Sequence, residues 1–231
     1  VRGDHGVDIE ILGCTGEVPG GGFLYTNAES LAVGLVLSLP KLAACGRRPE
    51  EILAELKAHS AIAPLIEGGQ VKEYSAHVIP EAGYKMMPEL IGDGILVAGD
   101  AAAMCLAAGI WLEGVNFAIG SGAAAGQAAA RAVQRRDTST AGLQDYRRRL
   151  DSNFVMSDHR KLREAPHLVM SDLAQQQLPR IACGVMGQLF TVTNPDPKPG
   201  LRKIIRSQMK LNNLKLRDAI SQGMKALRTF G

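Results

Sequence analysis

The residues best placed to do chemistry lie between Gly92 and Val133. A short apolar run, Ile95-Leu96-Val97-Ala98, ends in Gly99-Asp100. If that run is a buried strand, it delivers the Asp100 carboxylate to the strand's C-terminal end, where sheets of this kind bind ligands. A carboxylate there accepts hydrogen bonds from hydroxyls such as those of a ribityl or ribose chain. Gly99 and Ala101 to Ala103 leave the backbone open to close approach. A turn carrying Gly109 and Gly114 then leads into an Ala-rich, Pro-free stretch that ends in Arg131, Arg135 and Arg136, charges that suit a helix C-terminus. The first N–H groups of that helix have no intrahelical partner, and the positive end of its dipole favours a negative charge. Gly120, Gly122 and Gly126 give the helix a thin face. The same pattern equally suits a strand, loop and helix packed closely on a sheet with no ligand. Gly120-Ser121-Gly122 with Ala125 spells G-x-G-x-x-A, but it lies inside the helix and follows no strand, so it is not a dinucleotide fingerprint.

The elements that position this segment follow from periodicity. Val7, Ile9 and Ile11 alternate with other residues as a strand does. GGFLYTN reads as a second strand closed by a turn at Asn27-Ala28-Glu29, and Leu31, Val33, Leu35, Leu37 and Leu39 recur at period two. A half-buried antiparallel hairpin is predicted. Pro49 opens a helix with Ile52, Leu53 and Leu56 on one side. Residues 70–79 are expected to return as a strand, and further helices are expected over about 143–163.

Composition bounds the function. The chain has 231 residues, 46% hydrophobic and 21% charged, with 26 glycines and only 4% aromatics. That excludes a disordered polyelectrolyte and leaves room for a sizeable core in one or two domains. The longest strongly apolar stretch, Ala101 to Leu112, is far short of the roughly 20 residues of a membrane helix. No charged n-region followed by an apolar run marks a signal peptide, and the first residue is Val1, as in a piece of a longer protein. Cys14, Cys45, Cys105 and Cys183 are too scattered for a metal or iron–sulfur site; they suit a reducing compartment, with most of them buried.

The net charge of +3 hides an asymmetry. From Lys198 onward nine Lys/Arg stand against a single acid, Asp218, behind a Pro-rich break at NPDPKPG. Leu216, Ile220, Met224 and Leu227 fall at helical spacing there. The simplest expectation is a helix that docks this stripe on the body and leaves a solvated basic face. The sharper one is contact with an anionic membrane or an acidic partner protein. No nucleic acid is expected, because no aromatic stacking platform accompanies the charge.

Several blocks carry a resemblance: GGFLYTNAESLAVGLVLSL (Gly21 to Leu39), AIAPLIEGG (Ala61 to Gly69), YSAHVIPEAGYKMMPELIGDGILVAGDAAAMC (Tyr74 to Cys105) and LFTVTNPDPKPGLRKIIR (Leu189 to Arg206). Together they resemble the C-terminal half of FixC-type FAD-dependent electron transfer flavoprotein–quinone oxidoreductases, within the geranylgeranyl reductase and electron-transfer-flavoprotein dehydrogenase superfamily. The N-terminal Rossmann half of such proteins, which holds the ADP part of FAD, has no counterpart here.

The resemblance implies an α+β fold. Residues 1–90 would form a substrate- or quinone-type sheet domain, and 91–137 the second flavin-binding strand and helix. Residues 138–231 would form a helical region with the basic tail from 198. It implies FAD as cofactor, an electron-transfer flavoprotein (FixAB-like) as donor, a quinone as acceptor, a ferredoxin-like protein (FixX-like) as a further partner, and a link to nitrogen fixation. It also implies a cytoplasmic protein, with peripheral contact at the inner membrane where the quinone is met. The residues implied at the cofactor are Gly99, Asp100, Ala101, Gly109, Gly114, Val115 and Asn116, with Asp100 on the ribityl hydroxyls and the backbone N–H groups of residues 114–116 facing the flavin pyrimidine edge. His77, Glu81, Ile110 and Trp111 are candidates for the pocket wall, with His77 and Glu81 managing protons. Each has a plainer alternative: a structural histidine, a turn carboxylate, a core tryptophan. Relatives tend to carry Arg before the Gly of the helix start, whereas this chain has Glu113, an acid that opposes negative charge on a reduced ring unless it turns away. Two other readings stand beside this one: a geranylgeranyl-reductase or aromatic-hydroxylase type of FAD enzyme, and a non-catalytic scaffold fragment that docks proteins.

Overall fold

A computed structural model of the chain describes residues 5–81, 83–108 and 112–231. The fold is α+β, with small antiparallel sheets followed by a helical C-terminal region. Two compact units divide it. One joins residues 1–74 to 170–222; the other joins 75–169 to 223–231.

The first unit begins with the predicted meander. Strands β1 (Asp8–Ile11), β2 (Gly20–Thr26) and β3 (Leu31–Leu37) pair antiparallel in that order, with Ile9 opposite Leu24 and Gly22 opposite Leu35. Helices α1 (Leu39–Cys45), α2 (Pro49–Ala58) and α3 (Ala63–Ile66) follow. Leu24 is buried with Leu56 and Ile62, while Ile9, Ile11, Val33 and Leu35 pack around them. The C-terminal part of this unit contains α8 (Leu178–Phe190) and α9 (Leu201–Leu211). These pack as a helical pair because Gly184 leaves room for Gln208: a Cβ at Gly184 would sit 2.1 Å from the Gln208 Oε1. A π-helical turn at Leu173–Gln177 precedes α8. From it, the buried Gln175 side chain accepts a hydrogen bond from the Gly20 N–H at 2.9 Å.

The second unit contains the two-residue pairs β4 (Ile91–Gly92) with β5 (Ile95–Leu96), and β6 (Leu106–Ala107) with β7 (Leu112–Glu113). Its helices are α4 (Val115–Gln134), α5 (Asp145–Asp151), α6 (Phe154–Lys161) and α7 (Ala165–Val169). Its core gathers Leu90, Met104, Leu106, Phe117, Ala124, Ala128, Tyr146, Leu150, Val155 and Met156. Small residues at every turn of α4 bring α5 and α6 close to it, and Arg131 near its C-terminus pairs with Asp145 of α5 at 3.3 Å. Tyr146 is fully buried, and its hydroxyl donates to the Val97 carbonyl at 2.8 Å. Burial pushes its phenol up to about 12. Tyr146→Phe is expected to cost about 1–2 kcal/mol. The raised phenol adds stability below its ordinary value of 10.0 that is lost as pH rises toward about 12. Denaturation curves between those pH values should fall for the native sequence and stay flatter for the variant.

Four expectations need correction. Residues 70–79 form no strand; they run exposed without a ladder partner. Alternating side chains make a strand only where a neighbouring strand takes up the backbone groups, and none is present there. Only Ile95–Leu96 of the Ile95–Ala98 run is strand, and Ile95 is 61% exposed, so the run is a short edge hairpin rather than a buried central strand. Of the cysteines only Cys105 is buried; Cys45 and Cys183 are exposed. Finally, the stripe of the last helix, α10 (Leu216–Phe230), points outward: Leu216, Ile220, Met224 and Leu227 are 51–73% exposed. The less exposed line is Ala219, Gln222, Ala226 and Thr229. Three of those four side chains, Ala219, Ala226 and Thr229, are small, and the bulky stripe is left to water.

Candidate functional site

The GD pair sits in a 3-10 turn, Gly99–Ala102, that begins two residues after β5. Gly99 adopts φ +62, a backbone state that favours glycine, and a Cβ there would meet Ala118 of α4 at 3.4 Å. Its N–H donates to the Ser121 hydroxyl at 3.0 Å, and Ser121 is fully buried inside α4. The turn is thereby stapled to the helix, which fixes where the next residue points.

Asp100 is exposed, and its carboxylate lies beside the start of α4. The N-cap of α4 is Gly114, which has no side chain to fill the helix end, and the first turn carries no acid. A Cβ placed on Gly114 would lie 3.6 Å from the Asp100 Oδ1 and 3.7 Å from the Cys105 Sγ. Cys105 is held protonated: burial, then the Asp100 and Glu81 charges, push its thiol up to about 11. Burial also raises Glu81 above the usual carboxylate range. Glu81, Asp100, Cys105 and Gly114 therefore share one neighbourhood at the positive end of a twenty-residue helix.

The other sequence candidates fall as follows. Val115 and Asn116 form the exposed first turn of α4. Glu113 stays at the helix start: its carboxylate accepts from the Asn116 side-chain amide at 2.9 Å. Ala101 is exposed within the 3-10 turn. His77 is exposed on the irregular run at 70–79, in no element that carries the site. Gly109, Ile110 and Trp111 lie outside the described residues.

Ser121, Cys105 and a buried histidine were not singled out from sequence. A serine between two glycines in an Ala-rich helix was the available signal for the first: a polar side chain in a helix interior needs a partner. The histidine, His159 of α6, is fully buried, edge-on to the Phe117 ring at 4.3 Å. Its Nδ1 hydrogen-bonds the Val155 carbonyl at 2.7 Å, and its Nε2 has no hydrogen-bond partner among the described residues. Burial pulls its imidazole below the ordinary 6.5, against smaller opposite pulls from the Val155 carbonyl, Asp158 and Glu113. The neutral ring is the native form. Its stability contribution is present above 6.5 and is lost as pH falls toward the lowered native value. His159→Met, of similar bulk and without the orphaned nitrogen, should leave stability at pH 7 within about 1.5 kcal/mol. It should also flatten the fall in melting temperature on the acid side, measured by calorimetry from pH 7 to pH 5.

No protein-family model matches the chain. Curated relatives do. Protein FixC of Escherichia coli K12 is 39% identical over 228 residues, which is 98% of this chain and 52% of the relative. This chain matches half of a FixC-type protein. Protein FixC of Salmonella typhi is 38% identical over the same length. A probable electron transfer flavoprotein-quinone oxidoreductase of Escherichia coli K12, YdiS, is 39% identical over 211 residues, 90% of this chain and 48% of that protein. The chain thus spans about half the length of the FixC relatives it matches. Among the described residues no helix is long and apolar enough to cross a membrane, and no group of His, Cys, Asp and Glu could hold a metal ion.

Proposed function

We propose that this chain supplies the ribityl- and pyrimidine-facing wall of a FAD-dependent, FixC-like electron transfer flavoprotein–quinone oxidoreductase. The observation that carries this is the meeting of Asp100 with the uncapped, glycine-started N-terminus of α4. A carboxylate takes up hydroxyl donors, and free backbone N–H groups beside it take up carbonyl and ring-nitrogen acceptors, which is the donor and acceptor set a flavin chain and ring edge require. The residues present fit that group. When bound, the flavin would accept a reducing pair from an electron-transfer flavoprotein and pass it to a quinone.

Within that scheme Asp100 holds the ribityl hydroxyls. The N–H groups of residues 114–116 and the α4 dipole stabilise negative charge as it grows on the ring edge. Glu113, hydrogen-bonded to Asn116, keeps its charge at the helix start, where it works against that stabilisation. Glu81, which burial raises above the usual carboxylate range, is the group near Asp100 suited to take up and pass on a proton. The naming of YdiS as a probable quinone oxidoreductase supports the acceptor. The FixX-like and nitrogen-fixation links rest on resemblance to FixC alone.

The test is spectroscopic. Visible absorption of the purified chain, alone and with added FAD, is compared with that of a full-length FixC relative. A flavin band that follows the chain, and that Asp100→Ala removes, supports the proposal. A relative that keeps its full flavin band after the matching Asp is replaced overturns it.

The outward stripe of α10 belongs to the same proposal. Four apolar side chains stand exposed on a helix whose flanks carry Lys215, Arg217, Lys225 and Arg228. An anionic membrane surface matches both features, with the apolar line entering the headgroup layer. A quinone acceptor, being apolar, is met at such a surface. Sedimentation with vesicles containing anionic lipid should carry the chain down at low salt, and Leu227→Glu should reduce the bound fraction several-fold. Equal sedimentation with neutral vesicles, or none with either, would retire the membrane contact.

A further inference from the structure

One face of the second unit is built from arginine. Asp145, which opens α5, takes guanidinium contacts from Arg149 at 2.8 Å, from Arg131 of α4 at 3.3 Å and from Arg148 at 3.4 Å. Asp151, which closes α5, takes Arg147 at 3.3 Å and Arg160 of α6. Five guanidiniums thus share two carboxylates, an excess of three positive charges. Nearby, Asp137 faces Arg135, and Arg136 is left exposed beside it. Arg149 also donates to the Gln127 side chain. These contacts hold the forks in place while Arg131 and Arg148 stay 60% and 68% exposed. Stability does not call for them. An exposed ion pair contributes about 0–1 kcal/mol, and a carboxylate already paired with Arg149 gains little from two more cations that repel each other. Arg131 and Arg148 do suit the ends of their helices, but lysine serves that role equally. From Gln127 to Arg163 eight of nine Lys/Arg are arginine, whereas from Lys198 onward five of nine are lysine.

We infer that this arginine face of α4, α5 and α6 is a docking surface for an acidic protein, one that presents several Asp and Glu side chains together. A guanidinium is a planar fork that meets a carboxylate through two parallel bonds, and a fork already ordered loses less freedom in doing so. The excess charge is spread over three helices, which answers a face of several carboxylates rather than one small anion. For a small anion, Asp145, Asp151 and the negative end of the α4 dipole are unfavourable neighbours. A bilayer is a poorer match as well. Firm contact with anionic lipid adds an apolar line that enters the headgroup layer. On the stretch that carries these arginines only Val133 and Phe154 are large, apolar and exposed, and Phe154 is stacked on Phe117. Helix α10 has such a line and this face does not. The face lies at the opposite end of α4 from Gly114, so it stands apart from the flavin reading.

The probe is a fluorescein-labelled peptide of alternating Glu and Ser, titrated with the purified chain and followed by anisotropy. Binding is expected at low salt and should weaken steeply toward physiological salt. Arg131→Glu and Arg148→Glu should each weaken it about tenfold or more, the scale of breaking a close charge pair at an interface. Lys225→Glu, on α10, should change it less than about twofold. Asp145 keeps Arg149 in both variants, so the melting temperature should hold. Arg148→Gln, which adds no charge, is the second probe should a reversal fail to fold. Phenylglyoxal labelling read by mass spectrometry locates the contact: the peptide should protect Arg131 and Arg148 and leave Arg217 and Arg228 reactive. Protection of the tail arginines instead, an equal loss with Lys225→Glu, or no binding at low salt overturns the inference. Equal protection of Arg131 and Arg148 by inorganic phosphate or by phosphatidylglycerol vesicles overturns it too, by making the occupant a small anion or a membrane. No readout needs flavin, so failure here is separate from failure of the flavin proposal.

Discussion

Phe117→Ala is expected to lower the unfolding free energy by about 3–5 kcal/mol, the upper range for truncating a buried ring. Phe117 is 1% exposed and sits in the first turn of α4, stacked on Phe154 at 5.9 Å and against His159 at 4.3 Å. Its loss opens a cavity bordered by the Phe154 and His159 rings. Gly120, one turn on, already meets Phe154 and Val155 so closely that a Cβ would stand 2.8 Å from the Phe154 ring. The α4–α6 contact therefore has little slack for collapse, which places the cost high in that range. Urea denaturation should show a lower midpoint at unchanged slope. Phe117→Leu should cost far less, because it keeps most of the volume. A loss under about 1 kcal/mol for the alanine variant would mean that α4 is held elsewhere.

Asp100→Asn is expected to weaken FAD binding about 10- to 100-fold in an assembly that binds it, the scale of hydrogen bonds to a charged acceptor. The same substitution has a second readout that needs no cofactor. The Asp100 charge helps hold the Cys105 thiol up at about 11. Removing it should move that thiol down toward its ordinary value of 9.0, so alkylation of Cys105 should begin at lower pH. Burial alone still keeps it raised. If the thiol profile is unmoved by Asp100→Asn, the carboxylate does not face the α4 start, and the ribityl role falls with it.

The hairpin, the Pro49 helix and the long Ala-rich helix were legible because each repeats a period over seven or more residues. Residues 70–79 carry strand-like residues too, but a strand is a pairing, and sequence does not display the partner. The Ile95–Ala98 run misled for the same reason: four apolar residues suit a central strand, yet only a two-residue neighbour is there to pair with them. The α10 stripe shows a different gap. Periodicity gives the direction of a helix's apolar side relative to its own axis, and says nothing about which side the rest of the chain covers. At the candidate site, Asp100 and Gly114 could be read from residue type and position. The Ser121 staple and the Cys105 thiol could not, because both depend on the turn at Gly99–Ala102 folding back on α4. Glu113 could be flagged, though its bond to Asn116 is a matter of rotamer.

The bond from the Gly20 N–H to Gln175 links residues 155 positions apart. During synthesis the meander leaves the ribosome before Gln175, and the side chain that completes it is then still untranslated. At about 5–20 residues per second, that wait is on the order of 8–30 seconds. Over this interval the sheet has an unmet donor and an open flank, exposed to chaperones and to other nascent chains. Yield of this protein in a host cell should accordingly respond to translation speed and temperature more than its final packing would suggest.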